Sequence, residues 1–217
     1  MISLPRAVIF DWDNTLVNSW GAIADAINTV LRHFGQDEWD IETVKARCIR
    51  SARESFPEWF GDRWQEASDI FYARFSEVQM QNLAPMPGAG ALLEWLHKQG
   101  IICCVVSNKN GVFLRAESTA LGWDGYFASI VGATDAMRDK PAREHADHAL
   151  HMAGLQSGID ILFVGDSEAD IACARNAGCT PLLIGDHNSA KKLGVDLYVA
   201  DCGELQSLLS QAARAIA

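Results

Sequence analysis

The sequence has little positive charge. Its 217 residues include 18 Lys and Arg against 28 Asp and Glu, so the formal net charge is −10 with His neutral. Binding to the phosphate backbone of nucleic acid depends on clustered Lys and Arg that displace counterions, and the sequence has no such cluster. We therefore expect no nucleic-acid partner. A small phosphorylated molecule needs only a few local cations and is compatible with this composition.

Long apolar runs and paired-cysteine motifs are absent as well. No run approaches the roughly 18–20 apolar residues that span a bilayer, and we expect no signal peptide because the amino terminus enters an apolar strand almost at once. The six cysteines show no CxxC spacing, which favours buried thiols in a reducing compartment over disulfides or a zinc site. These absences predict no membrane partner and a cytoplasmic location.

Beyond a break at residues 85–88, short apolar runs alternate with amphipathic stretches. The predicted strands there are 101–106, 129–132, 161–165, 182–184 and 197–199, and the predicted helices lie near 88–98, 111–121, 141–153, 168–177 and 203–215. Such alternation is typical of a doubly wound parallel sheet with right-handed crossovers. We predict an α/β fold with a Rossmann-like, doubly wound parallel sheet as its core.

A helical segment interrupts this core after its first strand. Its first helix is predicted from one apolar face, formed by Trp20, Ile23, Ile27, Val30, Leu31 and Phe34. A second, short helix is predicted from Asp40, and a third from Pro57, because proline favours the first helical turn. The prediction is a small α-helical cap domain, residues 17–86, inserted into a core of residues 1–16 and 87–217.

Acidic residues follow the first apolar run. Residues 7–10 predict a buried strand, and Asp11 and Asp13 lie at its carboxyl end, where open α/β sheets bind ligands. Two neighbouring carboxylates repel each other unless a cation or a shared proton lies between them. Carboxylates suit Mg²⁺, which also binds the phosphate oxygens of substrates. We therefore predict Mg²⁺ as the cofactor.

Other polar residues follow the later predicted strands or precede the next helix; they are Ser107, Asn108, Lys140, Asp166 and Asp170. Because parallel strands place their carboxyl ends along one edge of the sheet, we expect these side chains to converge on Asp11. Carboxylates, a hydroxyl and a lysine in one place are what the transfer of a phosphoryl group requires.

Roles for these residues follow from their chemistry. Asp11 directly ends the strand and, with an ordinary pKa of about 3.9, is ionised near neutral pH, so it is the best candidate nucleophile. Asp13 can donate and then accept a proton, and Lys140 offers a compact positive charge to phosphate oxygens and to Asp11. The remaining predicted roles are phosphate binding by Ser107 and the amide of Asn108, and metal binding by Asp166 and Asp170, directly or through water.

These motifs together resemble the haloacid dehalogenase-like hydrolase superfamily, in the group with a small helical cap. The resemblance is carried by residues 11–15 (DWDNT), 107–108 (SN), 140–141 (KP) and 165–170 (GDSEAD), in the family's order. It implies that Asp11 is an aspartyl-phosphate nucleophile and Asp13 the acid/base. It also implies that Mg²⁺ is bound by Asp11, the backbone carbonyl of Asp13, and Asp166.

Two positions narrow the reaction that the resemblance implies. Members of the family that remove halogens lack an acid at the position of Asp13. Sugar-phosphate mutases of the family usually carry an aliphatic residue at the position of Thr15. We place Thr15 with the phosphate- or substrate-binding residues. Residues 14–19 (NTLVNS) are similar to phosphoglycolate phosphatases. The expected activity is hydrolysis of a small phosphorylated metabolite, phosphoglycolate-like or a sugar phosphate. The alternatives are a β-phosphoglucomutase-like phosphomutase and a non-catalytic protein that binds a phosphorylated ligand.

The cap carries a candidate for substrate choice. Residues 47–54 (RCIRSARE) include three arginines, and Arg50 or Arg53 could bind a substrate carboxylate through a bidentate pair. The alternative is that these arginines are solvated or pair with Glu54 and Glu58. A monomer and a homodimer are both compatible with the sequence. One departure from the family's pattern is Asn14, where Gly is usual; Asn tolerates the left-handed backbone conformation.

Overall fold

The computed structural model describes residues 2–81 and 83–215. The chain divides into two compact units, one formed by Met1–Val17 and Pro85–Ala217 and the other by Asn18–Ala84. The predicted division into a core and a cap, with changes at 16/17 and 86/87, stays a prediction. Within the described residues, no helix combines the length and apolarity needed to cross a membrane.

The first unit is built on a six-stranded sheet. Numbered in chain order, the strands of the protein are β1 (Ala7–Phe10), β2 (Val17–Asn18), β3 (Ala84–Pro85), β4 (Ile102–Asn110), β5 (Phe127–Ala133), β6 (Ile161–Gly165), β7 (Thr180–Ile184) and β8 (Tyr198–Val199). The sheet order is β5-β4-β1-β6-β7-β8, with parallel pairing between neighbours, while β2 and β3 form a separate two-stranded sheet. The predicted doubly wound parallel sheet is confirmed.

Helices cover the sheet of the first unit. They are α5 (Ala89–Lys98), α6 (Gly111–Leu121), α7 (Arg143–Met152), α8 (Glu168–Ala177), α9 (His187–Leu193) and α10 (Cys202–Arg214). The helices α7 and α8 pack against each other and against the sheet, and α5 packs against α10. A core cluster joins β1, β4 and β6 to the first of these helix pairs through small and aliphatic side chains such as Ile9, Ala146 and Ala174.

The position of β1 determines where a ligand can bind. From β1 the sheet continues through β4 and β5 on one side and through β6, β7 and β8 on the other. All four residues of β1 are buried, as expected of a central parallel strand. Ligands of such sheets bind outside the carboxyl ends of the strands, where the strand order reverses. In this sheet that point lies at the ends of β4, β1 and β6.

The second unit consists of the helices α1 (Trp20–His33), α2 (Ile41–Arg47), α3 (Ala52–Phe60) and α4 (Trp64–Val78). The prediction of one helix beginning near Pro57 is wrong. Pro57 lies inside α3, which ends at Gly61, and a 3-10 turn (Gly61–Arg63) leads into α4. Gly61 has φ of 53°, a left-handed conformation that glycine adopts at low cost and that ends the helix.

All six cysteines carry free thiols. Cys103, Cys104, Cys173, Cys179 and Cys202 are buried, whereas Cys48 is only partly buried. The expectation of buried thiols therefore fails in part at Cys48, which follows α2 and packs against the core of the second unit while staying partly exposed.

Candidate active site

The backbone that follows β1 places Asp11 and then turns sharply. The N–H of Asp11 donates to the carbonyl oxygen of Val164 at 2.8 Å, which extends the pairing with β6 by one residue. Leu16 and Val17 both donate their N–H groups to the carbonyl oxygen of Trp12. Asn14 has φ of 64° inside this turn, as its tolerance of the left-handed conformation predicts. Asp11 thus extends from the end of β1, whereas Asp13 lies in a tight turn.

The strand β4 runs further than expected. The sequence predicted its end at Val106, but pairing with β5 resumes at Asn110 after a shift of register. Such bulges occur where a strand passes a functional site, because they reorient side chains. Ser107 and Asn108 lie within this irregular stretch, and the buried Ser107 hydroxyl accepts from the backbone N–H of Lys109 at 3.1 Å.

The side chain of Asn108 clamps the loop that carries Lys140. Its Oδ1 accepts from the N–H of Lys140 at 3.0 Å, and its Nδ2 donates to the carbonyl oxygen of Lys140 at 3.1 Å. His145 completes the clamp, because its Nδ1 accepts from the same N–H at 3.1 Å. With Nδ1 as an acceptor, the proton lies on Nε2, which donates to the carbonyl oxygen of Gly132 at 3.1 Å. The role of His145 was not predicted from the sequence.

Lys140 brings three distant segments of the chain together. The residue is 2% exposed, and its ammonium group donates to Oδ1 of Asp11 at 2.6 Å and to Oδ1 of Asp170 at 2.7 Å. Burial alone would lower the pKa of Lys140, but the two carboxylates raise it above its ordinary value. The ammonium group is therefore charged at any physiological pH.

Asp170 is oriented by the start of α8. Its Oδ2 accepts from the N–H and the hydroxyl of Ser167, at 3.0 and 2.6 Å, in a capping box. Gly165 makes this approach feasible, because a β-carbon at that position would collide with the Asp170 side chain. Both carboxylate oxygens of Asp170 thus have protein partners, Lys140 for one and Ser167 for the other.

Three carboxylates meet at this edge of the sheet. Asp11, Asp166 and Asp170 each offer an oxygen within 4.8 Å of the others. Burial, followed by the charge of Asp170, raises the pKa of Asp11 to about 7 against the opposing effect of Lys140. Burial and the charges of Asp11 and Asp170 likewise raise the pKa of Asp166 well above its ordinary value.

This cluster has the chemistry of a divalent-cation site. Three carboxylates face one ammonium in a largely buried place, and burial together with the repulsion between the carboxylates raises the pKa of Asp11 and of Asp166. An octahedral Mg²⁺ requires oxygens roughly 3–4 Å apart, a spacing that the cluster allows. The residues present therefore fit the predicted metal.

A second buried ion pair lies beside the first. Lys109 Nζ is 2.6 Å from Oδ1 of Asp13 and donates to both carboxylate oxygens of Glu117 at 2.8 and 2.7 Å. Glu117 also accepts from Nε1 of Trp12 at 2.7 Å. Sequence reasoning missed Lys109 and Glu117. The available signals were a lysine directly after Asn108 and an acid three residues after Leu114 on the buried face of α6.

The remaining predicted residues differ in their surroundings. The Thr15 hydroxyl is fully buried and has no hydrogen-bond partner among residues 2–81 and 83–215. In the second unit, Arg50 pairs with Glu58 at the surface, which agrees with the alternative interpretation of that arginine. Arg53 is half-buried. The structure thus joins Asp11, Lys140, Asp166 and Asp170, places Asp13 with Lys109, and leaves the roles of the arginines as predictions.

The chain belongs to the haloacid dehalogenase-like hydrolases: the model of that family matches residues 8–184. The resemblance stated from the motifs is therefore confirmed.

Among curated relatives, the phosphoglycolate phosphatase of Chromobacterium violaceum is 30% identical over 216 residues, covering 94% of this chain and 96% of its own length. Phosphoglycolate phosphatase 1 of Pseudomonas aeruginosa is 30% identical over 218 residues, covering 95% and 79%. Among solved structures, a predicted phosphatase from Clostridium acetobutylicum has a TM-score of 0.84 at 23% identity, with coverage of 96% and 100%. The last likeness supports the fold alone.

Proposed function

We propose that this protein hydrolyses the phosphate ester of a small phosphorylated metabolite, using Mg²⁺ and an aspartyl-phosphate intermediate. The enzyme class, a phosphoric monoester hydrolase, is supported by the family and by relatives that are phosphatases. The observation that carries the mechanism is the ammonium of Lys140 between Asp11 and Asp170, beside the carboxylate of Asp166. That arrangement combines a nucleophile, a fixed cation and room for a divalent ion.

Asp11 is the proposed nucleophile. One of its carboxylate oxygens forms a bond to phosphorus while the bond from phosphorus to the ester oxygen breaks, and Asp13 donates a proton to the departing oxygen. Asp13 then removes a proton from water, whose oxygen attacks phosphorus and displaces the Asp11 carboxylate as free phosphate forms. Asp11 directly follows β1, and its N–H bond to the carbonyl oxygen of Val164 in β6 keeps the attacking group in place.

The proposed metal ligands are Asp11, the backbone carbonyl of Asp13, and Asp166. Mg²⁺ bound there offsets the repulsion between the carboxylate nucleophile and the phosphate. Asp170 contacts Lys140 and Ser167 through its two oxygens, so a contact through water suits it better than direct ligation.

Phosphate binding is proposed for Ser107, Asn108, Thr15 and Lys140. The unpartnered hydroxyl of Thr15 supports this, because a buried hydroxyl without a hydrogen bond costs free energy that a bound ligand can recover. The two side-chain atoms of Asn108 bond the backbone of Lys140, so we assign Asn108 a second role in positioning that lysine.

The proposed substrates are phosphoglycolate-like esters or sugar phosphates. Relatives named phosphoglycolate phosphatase favour an ester that carries a carboxylate. Arg53, which is half-buried, and Arg50, which pairs with Glu58, both stay candidates for binding that carboxylate. Six free thiols support the proposed cytoplasmic location, and a monomer and a homodimer both stay open.

The test is phosphate release from a panel of phosphorylated metabolites, with Mg²⁺ and with EDTA. The panel includes 2-phosphoglycolate and β-glucose 1-phosphate. We expect Mg²⁺-dependent release of free phosphate and a loss on the order of 10⁴-fold in Asp11→Asn.

The matched control is Asp160→Asn, which changes a surface aspartate paired with Arg6 and should leave the rate unchanged. An isomerised sugar phosphate in place of free phosphate would indicate the phosphomutase. Binding without turnover would indicate the non-catalytic protein, and full activity in Asp11→Asn would refute the mechanism.

A further inference from the structure

Four residues of the first unit form a chain of buried polar contacts that ends at Asp13. Nε1 of Trp12 donates to Glu117, Glu117 accepts two hydrogen bonds from Lys109, and Lys109 Nζ lies 2.6 Å from Oδ1 of Asp13. The side chains of Lys109 and Glu117 are 4% and 2% exposed, whereas that of Asp13 is 19% exposed. The chain of contacts therefore runs from the interior toward the one member that a ligand can reach.

Stability by itself does not account for this arrangement. Burying an ammonium and a carboxylate costs several kcal/mol per ion, and apolar side chains of similar volume often stabilise a protein as well or better. Apolar packing cannot hold a charged group in a fixed place, whereas a buried ion pair can. The ammonium of Lys109 has three N–H donors; two contact Glu117, and Nζ also contacts Asp13.

Glu117 also sets the charge that Asp13 experiences. Lys109 and Glu117 have opposite charges, so the pair brings an ammonium group to 2.6 Å from Oδ1 of Asp13 while adding little net charge. Trp12 orients Glu117 from the same turn that carries Asp13. The contacts therefore form a closed loop through α6, β4 and the turn after β1, and this loop holds the ammonium group of Lys109 against the Asp13 carboxyl group.

We propose that Lys109 and Glu117 are positioning residues for Asp13. Glu117 directs Lys109 to Oδ1, which turns the other carboxyl oxygen, Oδ2, toward the ester oxygen and the attacking water. The proton passes from Oδ2 to the departing oxygen in the first step and returns from water to Oδ2 in the second. This inference rests on the proposed function, and it adds two residues that lie outside the motifs on which the resemblance rests.

The test compares substrates that do and do not need a proton on the leaving group. An alkyl phosphate such as 2-phosphoglycolate needs one, whereas p-nitrophenyl phosphate releases a weakly basic aryloxide. In the double variant Lys109→Met/Glu117→Gln, we expect the first step to slow by about 10–100-fold with the alkyl ester. With p-nitrophenyl phosphate the first step should be nearly unchanged while water attack slows, so stopped-flow absorbance should show a burst of one p-nitrophenolate per enzyme.

The double variant removes both charges of the buried pair formed by Lys109 and Glu117, and Gln at position 117 can still accept from Trp12. Thermal unfolding reports whether it is folded. The triple variant that adds Asp13→Asn should be no slower than Asp13→Asn alone, because groups that act through one another are not additive.

The outcomes separate this inference from the proposed function. A folded double variant with wild-type rates on both substrates, or an equal loss on both without a burst, would overturn it while Asp11→Asn still abolished turnover. Additive losses in the triple variant would do the same. If Asp11→Asn kept full activity, the proposed function would fail, and this inference with it.

Discussion

The first unit contains two buried lysines, Lys140 and Lys109, whose surroundings differ. Lys140 lies between Asp11 and Asp170, with Asp166 beside them, so three carboxylates face one ammonium. Lys109 lies between Asp13 and Glu117, two carboxylates that face one ammonium. The first group has more carboxylates and suits a divalent cation, whereas the second suits the proposed positioning of Asp13. The same residue type is thus proposed for two functions, and the neighbouring acids are what distinguishes them.

Among the tests of this comparison, the largest expected effect comes from a change at Lys140. In Lys140→Met, the loss of the cation leaves Asp11 and Asp170 repelling each other and the phosphate, so we expect turnover to fall by about 10²–10³-fold. Phosphate release at saturating substrate and Mg²⁺ measures it. The matched control is Lys98→Met, which removes an exposed lysine paired with Glu94 and should leave turnover unchanged. Wild-type turnover in Lys140→Met would erase the distinction between the two lysines.

The effect of Mg²⁺ on the free energy of unfolding should distinguish the carboxylates around Lys140 from those around Lys109. At about 100 times its dissociation constant, a cation that binds only the folded state raises the free energy of unfolding by about 2.7 kcal/mol. We expect urea denaturation to show this gain in the wild type and in Glu117→Gln, and to show none in Asp166→Asn. Loss of the gain in Glu117→Gln would mean that the ion lies at the other lysine.

The smallest expected effect is a dependence of the free energy of unfolding on pH, measured in EDTA so that no metal is bound. The pKa of Asp11 is about 7 in the folded protein and about 3.9 when unfolded, so the folded state binds more protons between these values. Its contribution to stability is complete below about pH 4 and is lost as the pH rises through 7. We expect Asp11→Asn to become progressively more stable than the wild type between pH 4 and 8. Saturating Mg²⁺ should reduce that difference in stability. A difference that does not vary with pH would mean that the pKa of Asp11 is not raised in the folded protein.

Much of the fold could be read from local patterns. The fully apolar run Ala7–Phe10 predicts a central parallel strand, and the alternation after residue 88 predicts the doubly wound sheet, because burial on both faces leaves a continuous apolar signature. The end of a helix at Gly61 was harder to predict from the sequence, because Pro57 gave a stronger local signal than the glycine that follows the helix. The extension of β4 to Asn110 depends on pairing with β5 across a bulge, which no local pattern contains.

The sequence by itself determined the class of fold, the acids that follow β1 and β6, and the lysine that meets them, because strand ends in a parallel sheet share one edge. Only the tertiary structure decided that Asn108 and His145 clamp the backbone of Lys140 and that Glu117 reaches Lys109 from α6. Those contacts join side chains through directions and distances that depend on how helices pack on the sheet. Residue order along the chain does not encode such directions locally, so packing alone gives Lys140 and Lys109 their different surroundings.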